Sequence, residues 1–136
     1  MKKIIVAFDG SEHAIHALNE AKKLQIGFPE ATITVLEVFD IHQLKDQDYD
    51  LSKSYEQRQT ERLAILNNQL RPLLDNFEGI VLLGDPAAQI INHINTNDYD
   101  LLVIGTRGLN ALQELVLGSV SHNVIQHIAI PTLVVK

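Results

Sequence analysis

The sequence predicts a single-domain α/β protein built on a doubly wound parallel sheet with helices on both faces. Its 136 residues correspond to about one domain. Five short β-rich runs (residues 4–8, 33–39, 80–83, 101–104 and 132–135) are mostly unbroken Val, Ile and Leu. Strands buried on both faces of a parallel sheet have that pattern, whereas half-exposed strands alternate. Helical stripes separate the runs, and strand–helix alternation with right-handed crossovers covers both faces of the sheet.

The elements follow in order. The first helix carries Ala14, Ala17, Leu18, Ala21 and Leu24 at helical spacing. Residues 42–59 are strongly polar and too short for a domain linker, so they read as a mobile loop leading into a helix. That second helix has the stripe Leu63, Leu66, Leu70, Leu73, Leu74 and Phe77, and Pro72 should kink or shorten it. The third begins with Asp85 as N-cap and Pro86 at its first position, where a missing N–H does no harm. Its apolar face is Ala87, Ile90, Ile91 and Ile94. The last helix is expected to start at Ser119, to bury Val120, Val124, Ile125 and Ile128, and to be stopped by Pro131.

Composition narrows the function. Apolar residues make up 46% and charged residues 21%, ordinary for a globular chain. The net charge is −6 and the basic residues are scattered, against the basic stripe that duplex binding requires. Cysteine is absent, which removes disulfides, thiol nucleophiles and thiolate metal sites and fits a reducing compartment. Five apolar residues precede Asp9 near the start, fewer than the roughly 7–15 of a secretory core or the roughly 20 of a membrane span. A cytoplasmic protein with no membrane or nucleic-acid partner is expected.

Ligands of doubly wound sheets gather beyond the carboxyl ends of the strands. There the fourth run is followed by Gly105-Thr106-Arg107-Gly108, nine residues, and Gly118-Ser119-Val120-Ser121. Glycines allow sharp turns and close approach of backbone amides. The third glycine directly precedes a helix, whose first turn has unpartnered amides and a partial positive potential. Ser119 and Ser121 would add hydroxyl donors. Alone, either half reads as a glycine turn or a serine cap. Together at the carboxyl edge they read as a backbone-built anion site suited to phosphates.

This spacing resembles the nucleotide-binding signature of the universal stress protein family. The likeness spans the chain and includes Asp9-Gly10-Ser11-Glu12, Gly84-Asp85-Pro86, residues 100–105 and the ending Pro131-Thr132-Leu133-Val134-Val135. The resemblance implies a Rossmann-like, flavodoxin-like sheet in the order 3-2-1-4-5, with ATP across the edge of strands one and four. It also implies a homodimer through the final strand. By the same resemblance, the backbone of Val38 meets adenine, and Ala7 and Asp9 line the base and ribose side. Gly105, Thr106, Arg107, Gly108, Gly118, Ser119, Val120 and Ser121 then surround ribose and phosphates. Ala7 stands where many relatives carry proline, a small matter if only the backbone is used. Arg107 is the sole cation of the signature, so Mg²⁺ or Mn²⁺ is expected on the phosphates. Asp9 either serves that ion or caps the first helix.

The expected function is an ATP-binding regulatory or stress-protective protein, with ATP or ADP as ligand, an unknown protein partner and at most slow hydrolysis. No catalytic residue is assigned. The alternatives are a dimeric interaction module without nucleotide, a phospho-acceptor receiver using Asp9 and Asp85 with Thr106, and a flavin carrier. P-loop, Gly-x-Gly and Gly-x-Ser-x-Gly patterns are absent. His13 and His16 share a helix face but lack an obvious third metal ligand, unless Glu12 or Glu20 serves. His127 reads as a helix-dipole partner, and His42 and His93 read as isolated.

Overall fold

The computed structural model describes residues 1–40, 52–107 and 117–136. The elements are β1 (Lys3–Ala7), α1 (Glu12–Gly27), β2 (Thr32–Phe39), α2 (Tyr55–Leu70), β3 (Glu78–Leu83), α3 (Pro86–Asn95), β4 (Leu101–Gly105), α4 (Ser119–His127) and β5 (Thr132–Val135). All neighbouring strands pair in parallel, in the order β3-β2-β1-β4-β5. Strand order therefore reverses between β1 and β4, where a doubly wound sheet opens its crevice.

Alternate residues of β1 serve two cores. Ile4 and Val6 pack with Ala14, Ala17, Leu18 and Ala21 of α1 and with Leu66 and Leu70 of α2. Ile5 and Ala7 pack with Ala87, Ile90 and Ile94 of α3 and with Val124 of α4. Burial on both faces is the physical reason for the unbroken apolar runs.

Local chemistry sets the helix ends. Ser11 accepts the Ala14 N–H at 3.1 Å, and Asp85 accepts the Ala88 N–H at 2.9 Å with Pro86 behind it. Ser54 and Gln57 close a reciprocal capping box at the start of α2. Pro72 shortens this helix: α2 ends at Leu70, and Leu74 packs from the turn beyond. The polar stretch 42–59 is not all loop: its residues 55–59 form the first turns of α2, where the Ser54–Gln57 capping box starts the helix, and residues 41–51, His42 among them, lie outside the described residues.

Several expectations change. β3 begins at Glu78 because its ladder with β2 starts at the Thr34–Glu78 pair. β1 ends at Ala7, although the Phe8 N–H still bonds the Leu36 carbonyl at 2.9 Å. Of the stripe expected to be buried on α4 only Val124 is: Val120 is 36% exposed, and Ile125 and Ile128, the latter just past the helix, are half-buried. The reason is a polar anchor: the buried Ser121 hydroxyl donates to the Gly105 carbonyl at 2.8 Å, turning Ser121 and Val124 toward the sheet.

Gly105 has a packing role that spacing could not reveal. Its φ is not left-handed, since the positive-φ glycines among the described residues are Gly10 and Gly84. A Cβ on Gly105 would stand 2.8 Å from His13 Cβ and 3.0 Å from both the His13 backbone carbon and oxygen. Helix α1 thus crosses the end of β4 at a separation that only glycine permits. Gly105→Ala should lower stability by about 1–3 kcal/mol, as overpacking against backbone does. Urea unfolding measures this, and an unshifted midpoint would mean that α1 can retreat freely.

Candidate functional site

The carboxyl ends of β1, β2 and β4 open into a cleft of about 560 Å³. Its apolar floor is Ala7, Leu36, Val38, Ile90 and Ile104. The left-handed Gly84 (φ 138°) turns the chain from β3 into α3, bringing Asp85 and Pro86 to one wall. Asp9, Ser11 and Ala14 form another wall, and Glu37, Phe39, Asp40 and Arg62 a third. At the far end stand Gly105, Arg107, Gly118, Ser119, Val120 and Ser121.

The structure therefore gathers nine sequence-selected residues around one cleft: Ala7, Asp9, Val38, Gly105, Arg107, Gly118, Ser119, Val120 and Ser121. Thr106 lies behind this lining. Its N–H donates to the Val135 carbonyl at 2.8 Å, and its carbonyl accepts the Gly118 N–H at 2.7 Å. Gly108 lies outside the described residues.

Two donor expectations require correction. The Ser121 hydroxyl is engaged by Gly105 and the Gly118 amide by Thr106, so neither is positioned as an unengaged ligand donor. What α4 offers is its first turn. The His122 N–H returns to the Gly118 carbonyl at 2.9 Å, and Ser119, Val120 and Ser121 precede it without intrahelical acceptors. Gly118, as N-cap, has no side chain with which to close that turn.

Asp9 is not the helix cap; Ser11 is. The Oδ1 of Asp9 accepts the Ser11 N–H at 2.9 Å and so braces the residue that caps α1. Asp85 does act as a cap, which engages one carboxylate of the receiver alternative in helix termination.

The third wall was missed in the sequence. Buried Glu37 lies 3.4 Å from Arg62 Nη2, and the guanidinium carbon sits 4.1 Å from the centre of the Phe39 ring. Burial pushes the Glu37 carboxyl up, Arg62 opposes that rise by charge and hydrogen bonding, and Asp9 adds to it. The available signal was a glutamate inside the apolar run of residues 33–39.

His13 and His16 meet edge-on at 6.1 Å, but no group of three metal-ligating side chains occurs among the described residues. His93 is not isolated: its Nε2 lies 2.8 Å from the Tyr99 hydroxyl, near the amino end of β4. His127 Nδ1 meets the Asn123 carbonyl at 2.7 Å at the end of α4. No described helix is long and apolar enough to cross a membrane.

Comparison with known proteins places this geometry among relatives. The model of the universal stress protein family matches residues 1–136. Universal stress protein YxiE of Bacillus subtilis is 32% identical, the match covering 98% of each chain. The solved structure of MJ0577 from Methanocaldococcus jannaschii is similar with a TM-score of 0.77 and 27% identity, over 99% of this chain and 95% of that one. A family protein from Arabidopsis thaliana, solved with AMP bound, shares the fold at a TM-score of 0.66 and 21% identity, over 100% and 92% of the two chains.

The raised Glu37 carboxyl has a consequence for stability. A carboxyl whose folded value exceeds its unfolded value binds more protons when folded, so its contribution declines as pH rises through that interval. Glu37→Gln should therefore flatten the loss of stability as pH rises above the ordinary glutamate range. Urea midpoints of both proteins across that interval provide the check; parallel pH profiles would contradict it.

Proposed function

The chain belongs to the universal stress protein family, and from that premise we propose that it binds an adenine nucleotide, principally ATP, in the cleft beyond β1, β2 and β4. The supporting observation is the open first turn of α4 at one end of a cleft with an apolar floor. Backbone amides and the helix potential favour phosphate there without requiring many cations. The apolar floor suits a base, with the Val38 backbone at its edge and Ala7 and Asp9 on the base and ribose side. Gly105, Arg107, Gly118, Ser119, Val120 and Ser121 surround ribose and phosphates in this reading, with Thr106 behind them. The AMP of the Arabidopsis protein belongs to a fold relative, so this reading rests chiefly on the cleft itself.

Charge favours a divalent ion with the phosphates. The described lining holds four carboxylates (Asp9, Glu37, Asp40 and Asp85) against two guanidinium groups, Arg62 and Arg107. Mg²⁺ or Mn²⁺ would offset that excess beside a triphosphate, typically with one carboxylate contributing. Asp9, the carboxylate just beyond the end of β1 in this lining, takes that role in this reading. Hydrolysis is expected to be slow at most, since efficient phosphoryl transfer needs a positioned water and strong charge compensation. The role is regulatory or stress-protective in the cytoplasm, acting through nucleotide-dependent conformation or partners.

A homodimer through β5 accompanies this reading. Strand β5 is at the sheet edge, and its Leu133 and Val134 are 37% and 39% exposed. An apolar edge of this kind is a natural pairing surface.

Freshly purified protein, denatured and chromatographed, should release ATP or ADP at a sizeable fraction of the protein concentration. Gly118→Val should weaken ATP binding by about tenfold or more, roughly 1.4 kcal/mol, because side-chain bulk blocks approach to the amides. At φ −59° and ψ 153° valine is conformationally acceptable, so the loss would report on ligand approach. Equal affinities by calorimetry would defeat the assignment. In light scattering, Val134→Lys should convert a two-chain mass to a one-chain mass. A one-chain mass before substitution would remove the dimer.

A further inference from the structure

His13 stands outside the cleft lining, yet it touches three consecutive residues that lead into the signature loop. Its backbone packs against Gly105, its Nδ1 lies 3.3 Å from Thr106 Oγ1, and its Nε2 lies 2.9 Å from Arg107 Nη2. These contacts determine the ring's state. A guanidinium only donates, so Nε2 must accept and the ring proton must sit on Nδ1, directed at the threonine hydroxyl. A ring protonated at both nitrogens could not accept from Arg107.

We infer that His13 is a positioning residue for nucleotide binding: neutral and protonated on Nδ1, it holds Arg107 at the phosphate end of the cleft. This inference rests on the nucleotide reading and deepens it by making phosphate recognition depend on a side chain of α1. His16 supports the arrangement from the next turn. Its ring meets His13 edge-on, and its Nδ1 bonds the Lys136 carbonyl at 3.0 Å, joining α1 to the chain beyond β5. Restraining Arg107 before the ligand arrives reduces the ordering cost of forming its charge-assisted contact.

Two measurements test the inference. Long-range ¹⁵N–¹H correlation on unsubstituted protein at neutral pH should place the His13 proton on Nδ1; a proton on Nε2 overturns the assignment. Calorimetry should then compare ATP with adenosine, which lacks the phosphates. His13→Leu should weaken ATP by about tenfold while leaving adenosine within about twofold, as expected when one charge-assisted contact is lost. His13→Gln, whose amide oxygen can accept from Arg107, should restore most of that loss. Adding Arg107→Gln to His13→Leu should cost less than Arg107→Gln alone, because the two residues act through one contact. If unsubstituted protein binds ATP and His13→Leu binds it equally well, only this inference fails. If unsubstituted protein binds no ATP, the nucleotide reading fails and takes the positioning role with it.

Discussion

Thr106 is the junction on which the cleft depends. Its N–H reaches the Val135 carbonyl at 2.8 Å, its carbonyl receives the Gly118 N–H at 2.7 Å, and its hydroxyl meets His13 Nδ1 at 3.3 Å. One residue beyond β4 therefore links β5, the start of α4 and the start of α1. Each such bond contributes only about 0.5–1.5 kcal/mol net, so the main effect is geometric. Ser121, anchored on the Gly105 carbonyl, ties the first turn of α4 to the end of β4, where it lines the cleft.

Glycines that look alike in the sequence have different physical roles. Gly10 and Gly84 have left-handed φ and turn the chain at strand ends. Gly105 has no such φ and is small because α1 backbone occupies the space of a side chain. Gly118 leaves a helix start without a side-chain cap, whereas Ser11, Ser54 and Asp85 close the other three described helices. The starts of α1, α3 and α4 all line the crevice, and of these only the start of α4 lacks a side-chain cap. Capping stabilises a helix by satisfying the same amides that an anion would use, so both cannot be optimised at one terminus.

The Glu37–Arg62 pair shows how the cleft carries charge beside an apolar core. Burying a carboxylate is costly unless it is paired, and here the pairing is partial: the Arg62–Glu37 contact is 3.4 Å, and buried Arg62 Nε has no hydrogen-bond partner among the described residues. Stacking on Phe39 at 4.1 Å helps hold the guanidinium in place. The pair therefore gives the third wall a fixed charge arrangement without a clear stability gain.

The fold was legible because its information is local. Unbroken Val, Ile and Leu runs, the Ala14-to-Ala21 stripe, the Asp85-Pro86 start and the Pro72 stop each act through period, cap or missing donor within a few residues. The two glycine-bearing segments were legible as site candidates for the same reason, and nine of the selected residues converge on the cleft. The sequence could not specify which donors were already engaged. Ser121 and Gly118 are adjacent to their partners only after β4 and α4 have packed, and Val120 was assigned to the wrong face because that packing rotates the helix. Glu37 and Arg62, twenty-five positions apart, meet across a strand and a helix, and His13 reaches Arg107 from ninety-four positions away. Periodicity determines which face of an element is apolar. Through-space contacts alone decide which polar atoms remain available to a ligand, because hydrogen-bond partners are selected by tertiary proximity.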